Sequence, residues 1–178
     1  MIRTERLTMI PVTRDLKLAL QSSRVAFGKK LNAVLPDGWP QLPQAFVPHD
    51  IEPAVPWCAY VFLDNRKRLL VGSGGFLSTP DKDADVEIGY EIAPAFRSHG
   101  FATEAVEALI DVATANRARF VFARTPAGTN ASTAVARKAG MEVVDDDFDK
   151  NIGLVWRFRI TCDEKRMPLG NVSLRMSA

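Results

Sequence analysis

The stretch from Asp85 to Ala123 restricts the folds open to this chain more than any other. Val86, Ile88, Tyr90 and Ile92 alternate with Asp85, Glu87, Gly89 and Glu91, the period-2 pattern of a strand with one face turned to a core. Pro94 ends it, because proline brings no N–H to a ladder. After a short polar link, Val106, Leu109, Ile110 and Ala113 form one stripe of a helix, with Glu104, Glu107 and Asp111 toward its polar side. Phe120-Val121-Phe122-Ala123 then reads as a buried strand. Strand, helix, strand in that order permits parallel pairing and points to an α/β fold.

The flanking segments extend this unit. Leu7 to Val12 reads as a first strand, and Thr13 caps a helical region with apolar positions Leu16, Ala19, Leu20, Phe27, Leu31 and Val34. Trp57 to Leu63 and Leu69 to Leu77, joined by Asp64-Asn65-Arg66-Lys67-Arg68, read as a hairpin. Gly72-Ser73-Gly74-Gly75 has no helix after it to make an anion site, so these glycines mark a bulge or a close backbone approach. A loop at Pro126 to Thr129 precedes a short helix from about Ala131 to Ala139, capped by Asn130 or Thr129 and closed by Gly140. Val143-Val144 and Leu154 to Ile160 supply the last strands, and Asp145-Asp146-Asp147 reads as a solvated turn. Six prolines between Pro36 and Pro56 forbid a regular helix there. That long loop is the first candidate for shaping a substrate site.

Length and composition fit one domain, residues 1–162, with 163–178 as a tail or extension: 178 residues, 47% of them apolar, build one sizeable core. A formal charge of +2 without like-charge blocks argues against nucleic acid or an anionic membrane as partner. Cys58 and Cys162 lack metal-ligand spacing and sit in strand-like stretches far from the polar link; they are expected to be buried free thiols, which a reducing cytoplasm suits. No metal is expected. The N-terminus begins with charge and no uninterrupted apolar run follows, which argues against a signal peptide or a membrane span.

The link Arg97-Ser98-His99-Gly100-Phe101-Ala102 is the chemical centre of the sequence. Between a strand and a helix it forms a phosphate cradle: loop N–H groups and the first helical turn converge with partial positive charge. Gly100 allows close approach, Ala102 keeps the first turn small and Arg97 adds a full charge. Together, Val86-Glu87-Ile88-Gly89-Tyr90-Glu91-Ile92 and Arg97 through Ala105 resemble the acetyl-CoA signature of the GNAT acetyltransferases, Arg/Gln-x-x-Gly-x-Gly/Ala. Thr4-Glu5-Arg6-Leu7-Thr8-Met9, Asn130-Ala131-Ser132 and Lys138-Ala139-Gly140-Met141 resemble the branch containing ribosomal-protein N-terminal acetyltransferases.

The resemblance implies a GNAT fold: a mixed, mostly antiparallel sheet of about seven strands flanked by about four helices. It implies that the backbone of Tyr90, Glu91 and Ile92 pairs with the pantetheine of acetyl-CoA, and that the Ile92 amide faces the thioester oxygen. Arg97, Ser98, His99, Gly100, Phe101 and Ala102 would hold the pyrophosphate, Asn130 the pantetheine, and Ser132 the departing thiolate. Two departures stand out. The family Asn falls at Thr129, one residue before Asn130, and the tyrosine acid of many members falls at Ala136. Ser132 or water must then supply the proton. Glu87 is the expected general base, with Glu91 and Asp145 to Asp149 behind it; His49, in the proline-rich loop, has only its position in its favour. The expected activity is acetyl transfer to a primary amine, a protein N-terminus or a small molecule, by a monomer or homodimer; the alternative is a non-catalytic acyl-CoA-binding module.

Overall fold

The computed structural model describes residues 1–48 and 53–163. These form an eight-stranded sheet and four α-helices, in the order β1 (Ile2–Arg3), β2 (Leu7–Pro11), α1 (Arg14–Ser22), α2 (Arg24–Leu31), β3 (Ala59–Asp64), β4 (Leu70–Phe76), β5 (Val86–Ile92), α3 (Phe101–Ala115), β6 (Phe120–Pro126), α4 (Ala131–Lys138), β7 (Glu142–Asp149) and β8 (Gly153–Thr161). The sheet runs β1-β2-β3-β4-β5-β6-β8-β7, antiparallel except between β5 and β6. The eighth strand beyond the expected seven is β1, a two-residue edge against β2 that carries too little sequence to show a period.

Each face of the sheet has its own core. On one, α3 packs Ala105, Val106, Leu109, Ile110 and Ala113 against Val86, Ile88, Val121 and Phe158. On the other, Leu16 and Ala19 of α1 and Phe27 and Leu31 of α2 meet Val61, Leu63 and Leu70. The helical region expected after Thr13 holds two helices, divided where Ser23 leaves helical geometry and caps the second, accepting from the Ala26 N–H at 3.0 Å. Val34 lies beyond α2 and is exposed.

The first part of the proline-rich stretch, residues 36–48, is anchored by aromatic packing. Trp39 and Phe46 are buried, with ring centroids 5.1 Å apart and each against Phe27. Trp39 also donates from Nε1 to Ser73 Oγ at 3.0 Å, tying the stretch to β4. The close approach expected at the glycines occurs in β4. A Cβ at Gly72 would stand 2.3 Å from the Glu91 carbonyl oxygen, and one at Gly74 2.5 Å from that of Gly89. The acidic run Asp145-Asp146-Asp147 is not a turn but part of β7, exposed as the outermost strand.

Candidate active site

The sheet opens beside β5. β5 and β6 pair at Val86↔Val121, Glu87↔Phe122 and Ile88↔Ala123, and the pairing stops there although β5 runs on to Ile92 and β6 to Pro126. On its other side β6 stays paired with β8 up to Pro126. The Leu77 N–H bonds the Glu87 carbonyl and the Ala93 N–H the Val71 carbonyl, each at 2.9 Å, so the odd positions of β5 bond to β4. Antiparallel alternation then turns the backbone groups of Tyr90 and Ile92 toward the gap. Glu91, registered with Ser73 on β4, brings its side chain to the opposite face from Tyr90.

At the end of the gap stands the cradle. Pro94–Phe96 makes a short 3-10 turn, Arg97 is extended, and Ser98 and Gly100 take left-handed conformations with φ of 63° and 80°. Gly100 is the N-cap of the 15-residue α3 without a capping side chain, so the first-turn N–H groups stay open to an anion. The Arg97 guanidinium keeps its full charge but commits two donors to neutral acceptors, the Ile92 carbonyl at 3.2 Å and Gln41 Oε1 at 2.7 Å. Arg6 braces the loop from below. Its Nη1 donates to the His99 carbonyl at 2.8 Å, its guanidinium lies over the Phe101 ring, and its Nε reaches Glu104 at 2.6 Å. Glu104 also accepts from the Arg6 N–H at 2.8 Å and from Thr4 Oγ1 at 2.5 Å. The opening Thr4-Glu5-Arg6 and the Glu of α3 are therefore one structural unit, a link their sequence separation conceals.

Across the gap, α4 begins at Asn130, whose Oδ1 accepts from the Thr133 N–H at 3.0 Å in a full capping box. Its Nδ2 donates to the Pro126 carbonyl at 2.8 Å, so the amide is occupied in holding the loop. Ser132 is half-buried, and its carbonyl accepts from the Tyr90 hydroxyl at 3.0 Å. Burial raises the Tyr90 pKa to about 12, which keeps the phenol protonated. Ala136, where many family members carry a tyrosine, is fully buried. The structure thus places a tyrosine hydroxyl against the first turn of α4 from the strand rather than from the helix.

Two carboxylates of β5 have different surroundings. Glu87 is partly exposed at the paired end of the strand, where Arg124 Nε donates to it at 2.8 Å. That hydrogen bond raises the pKa of Arg124. Glu91 is 9% exposed and lines a cavity of about 310 Å³ on the α1 side of the sheet. Ser73 Oγ and the Gln41 N–H donate to it at 2.8 and 2.7 Å. Leu42, Phe46 and Leu77 form apolar wall. Cys58 also lines this cavity. It is buried and Cys162 is half-buried, and neither is in a disulfide. His49 lies outside the described residues.

Of the expected residues, Tyr90 and Ile92 lie on the β5 edge of the gap, Arg97 through Ala102 at its end and Asn130 and Ser132 across it, whereas Glu87 and Glu91 turn their side chains to the opposite face from Tyr90. Asp145 to Asp149 lie on β7, at the far edge of the sheet. Among the described residues no cluster of three or more His, Cys, Asp or Glu side chains is arranged to hold a metal, and no helix is long and apolar enough to cross a membrane.

Comparison with known proteins agrees with this fold. No curated protein matches the sequence. A GNAT-family acetyltransferase from Bacillus anthracis superimposes with a TM-score of 0.61 at 16% identity, covering 90% of this chain and 98% of that one. A chimeric spermidine N-acetyltransferase from Vibrio cholerae gives 0.62 at 15% identity, over 89% and 96% of the two chains. A ribosomal-protein alanine acetyltransferase from Vibrio fischeri gives 0.54 at 16% identity; there the match spans 60% of this chain and only 62% of that one. At such identities these likenesses speak for the fold alone. The sequence model of the acetyltransferase (GNAT) domain matches residues 31–142, well over half the chain, and the chain therefore belongs to the GNAT acetyltransferase family.

Proposed function

We propose that the protein transfers an acetyl group from acetyl-CoA to a primary amine by direct attack within a ternary complex. The observation that carries this reading is the gap between β5 and β6, which leaves the Tyr90 and Ile92 backbone without a strand partner beside an uncapped helix N-terminus. An extended pantetheine arm fits such an edge as an added strand would, with its pyrophosphate at Arg97 through Ala102. The Ile92 N–H is then the donor to the thioester oxygen, where negative charge grows as the amine attacks. Ser132 stabilises the departing thiolate, and the loop held by the Asn130 cap borders the pantetheine. Glu87 accepts the ammonium proton through water, since its carboxylate is partly exposed but already paired with Arg124.

A non-catalytic acyl-CoA-binding module is the second reading. It is favoured by that same ion pair and by the absence of a tyrosine at position 136. One experiment separates the two. Coenzyme A should raise the melting temperature by ligand linkage, and an acceptor screen with acetyl-CoA should release free thiol. Stabilisation without thiol release from any amine supports the binding module. No stabilisation by coenzyme A refutes both.

A further inference from the structure

A groove of about 630 Å³ between α2 and the turn joining β3 to β4 is lined by Arg24, Lys29, Lys67 and Arg68, with Asp37 as its one acid. The whole chain carries only +2, so this one surface holds its entire positive excess. None of the four cations enters an ion pair among the described residues. Lys30, which does pair with Asp15 at 3.1 Å, lies outside the groove. Like charges gathered around one hollow repel one another, and an anion seated among them relieves the repulsion.

Two of the four are held in place. Arg24 donates to the carbonyls of Trp39 and Pro36, and Arg68 Nε donates to the Asn32 carbonyl at 3.1 Å. These acceptors are neutral, so both guanidinium groups keep their charge, and the two Nη nitrogens of Arg68 remain as a fork of donors. Arg68 also takes a left-handed conformation, with φ of 51°, in a hairpin turn where glycine or asparagine is favoured. An arginine kept there at a conformational cost, with its Nε tied down, argues for a use of the guanidinium.

The rest of the lining bears on the kind of anion. Val25 and Val34, 67% and 65% exposed, join Leu35 to give apolar surface beside the cations. The volume falls within the range of about 300–1,000 Å³ usual for small-molecule sites. Carboxylates on one side of an extended peptide recur only about every 6.6 Å, whereas a diphosphate carries its charges on adjacent groups. No residue of the groove belongs to the Arg97 to Ala102 cradle. Gly38 and Pro94 stand between the two; a Cβ at Gly38 would lie 3.4 Å from Pro94 Cγ.

We propose that this groove is a second anion site, separate from the cofactor cradle, and that it binds a small organic diphosphate. Arg24, Lys29, Lys67 and Arg68 take the phosphates, and Val25, Val34 and Leu35 take the organic body. The site stands whether or not the gap beside β5 transfers acetyl groups.

Calorimetry with ADP tests it in about 0.15 M salt, where charges separated by more than about 8 Å are largely screened. Coenzyme A-loaded protein should bind ADP, and should bind adenosine and pyrophosphate each at least about tenfold more weakly. The double variant K29E/K67E, at two exposed positions, should weaken ADP by roughly 10- to 100-fold and change coenzyme A binding by less than about threefold. R68G removes the fork and suits the local backbone, so it should weaken ADP at least about fivefold while Tm does not fall. Unchanged ADP binding in K29E/K67E overturns the proposal. Loss of ADP binding on loading with coenzyme A overturns it as well, since the two ligands would then share one site. Pyrophosphate that binds as tightly as ADP overturns the organic ligand. An acidic peptide that binds more tightly than ADP overturns the diphosphate assignment and makes the groove a protein-docking surface.

Discussion

Replacing Glu104 by alanine should loosen the phosphate cradle from a distance. Glu104 lies in the first turn of α3, and its side chain is 16% exposed. It accepts three hydrogen bonds: Thr4 Oγ1 at 2.5 Å, the Arg6 N–H at 2.8 Å and Arg6 Nε at 2.6 Å. A hydrogen bond to a charged group is worth about 1.5–3 kcal/mol where both groups are buried. The Arg6 side chain is 38% exposed, so water takes over much of its share once the carboxylate is gone. The favourable position of a negative charge at a helix N-terminus adds about 0.5 kcal/mol. A net loss of about 2–3 kcal/mol follows, which for a chain of this size lowers Tm by roughly 4–12 °C.

The same substitution should reach the cofactor. Arg6 holds the His99 carbonyl at 2.8 Å and lies over Phe101, so its orientation fixes the backbone between Arg97 and the helix. Without Glu104 the guanidinium is free to swing, and coenzyme A should bind about three- to tenfold more weakly, as expected for losing about 1 kcal/mol of preorganisation. Thermal melts with and without coenzyme A measure both effects, and R6A with the double variant closes a thermodynamic cycle. A Tm within 1 °C of wild type refutes the energetic reasoning. A lowered Tm with an unchanged coenzyme A affinity would confine the brace to stability and remove its role in the cradle.

Three other outcomes follow from the site. S132A should lower kcat by roughly ten- to a hundredfold with little change in coenzyme A binding, if its hydroxyl meets the thiolate; an unchanged kcat makes water the proton source. E87Q should lower kcat/KM about 100-fold near neutrality, with a smaller loss at high pH where the amine is already free; full activity across that range places the base elsewhere. Tyr90, with its pKa raised from 10.0 to about 12 by burial, adds stability that is present below pH 10 and declines as the unfolded chain loses its phenol proton between those values. The stability gap between wild type and Y90F in urea should therefore narrow by up to about 3 kcal/mol over that interval. A gap independent of pH would show that the phenol is not held in its neutral form by the fold.

What could be read from the sequence depended on how each part of the site is built. The cradle is contiguous and made of backbone, so the alternation of β5, the arrest at Pro94, the glycine at position 100 and the stripe of α3 identify it within about 30 consecutive residues. The edge of the sheet was obscure for a physical reason. β7 has water on both faces, so Asp145, Asp146 and Asp147 follow one another with no period to separate strand from turn. The two-residue β1 is too short to carry any pattern.

The cluster around Glu91 is hidden for a different reason. Glu91 looks like an ordinary polar-face residue of an amphipathic strand, and Ser73 a small residue among glycines. Trp39 looks like an isolated aromatic among prolines. Their meaning arises only when Trp39 Nε1 reaches Ser73 and Ser73 reaches Glu91, across 34 and 18 residues of chain. Backbone chemistry serves a cofactor that is the same for every family member, and so it concentrates in one stretch of sequence. The residues that line the cavity beside Glu91 come from α1, the proline-rich stretch, β3, β4 and β5. A contiguous backbone feature can therefore be read from one stretch of sequence, while a side-chain cluster assembled from separate segments leaves no local motif.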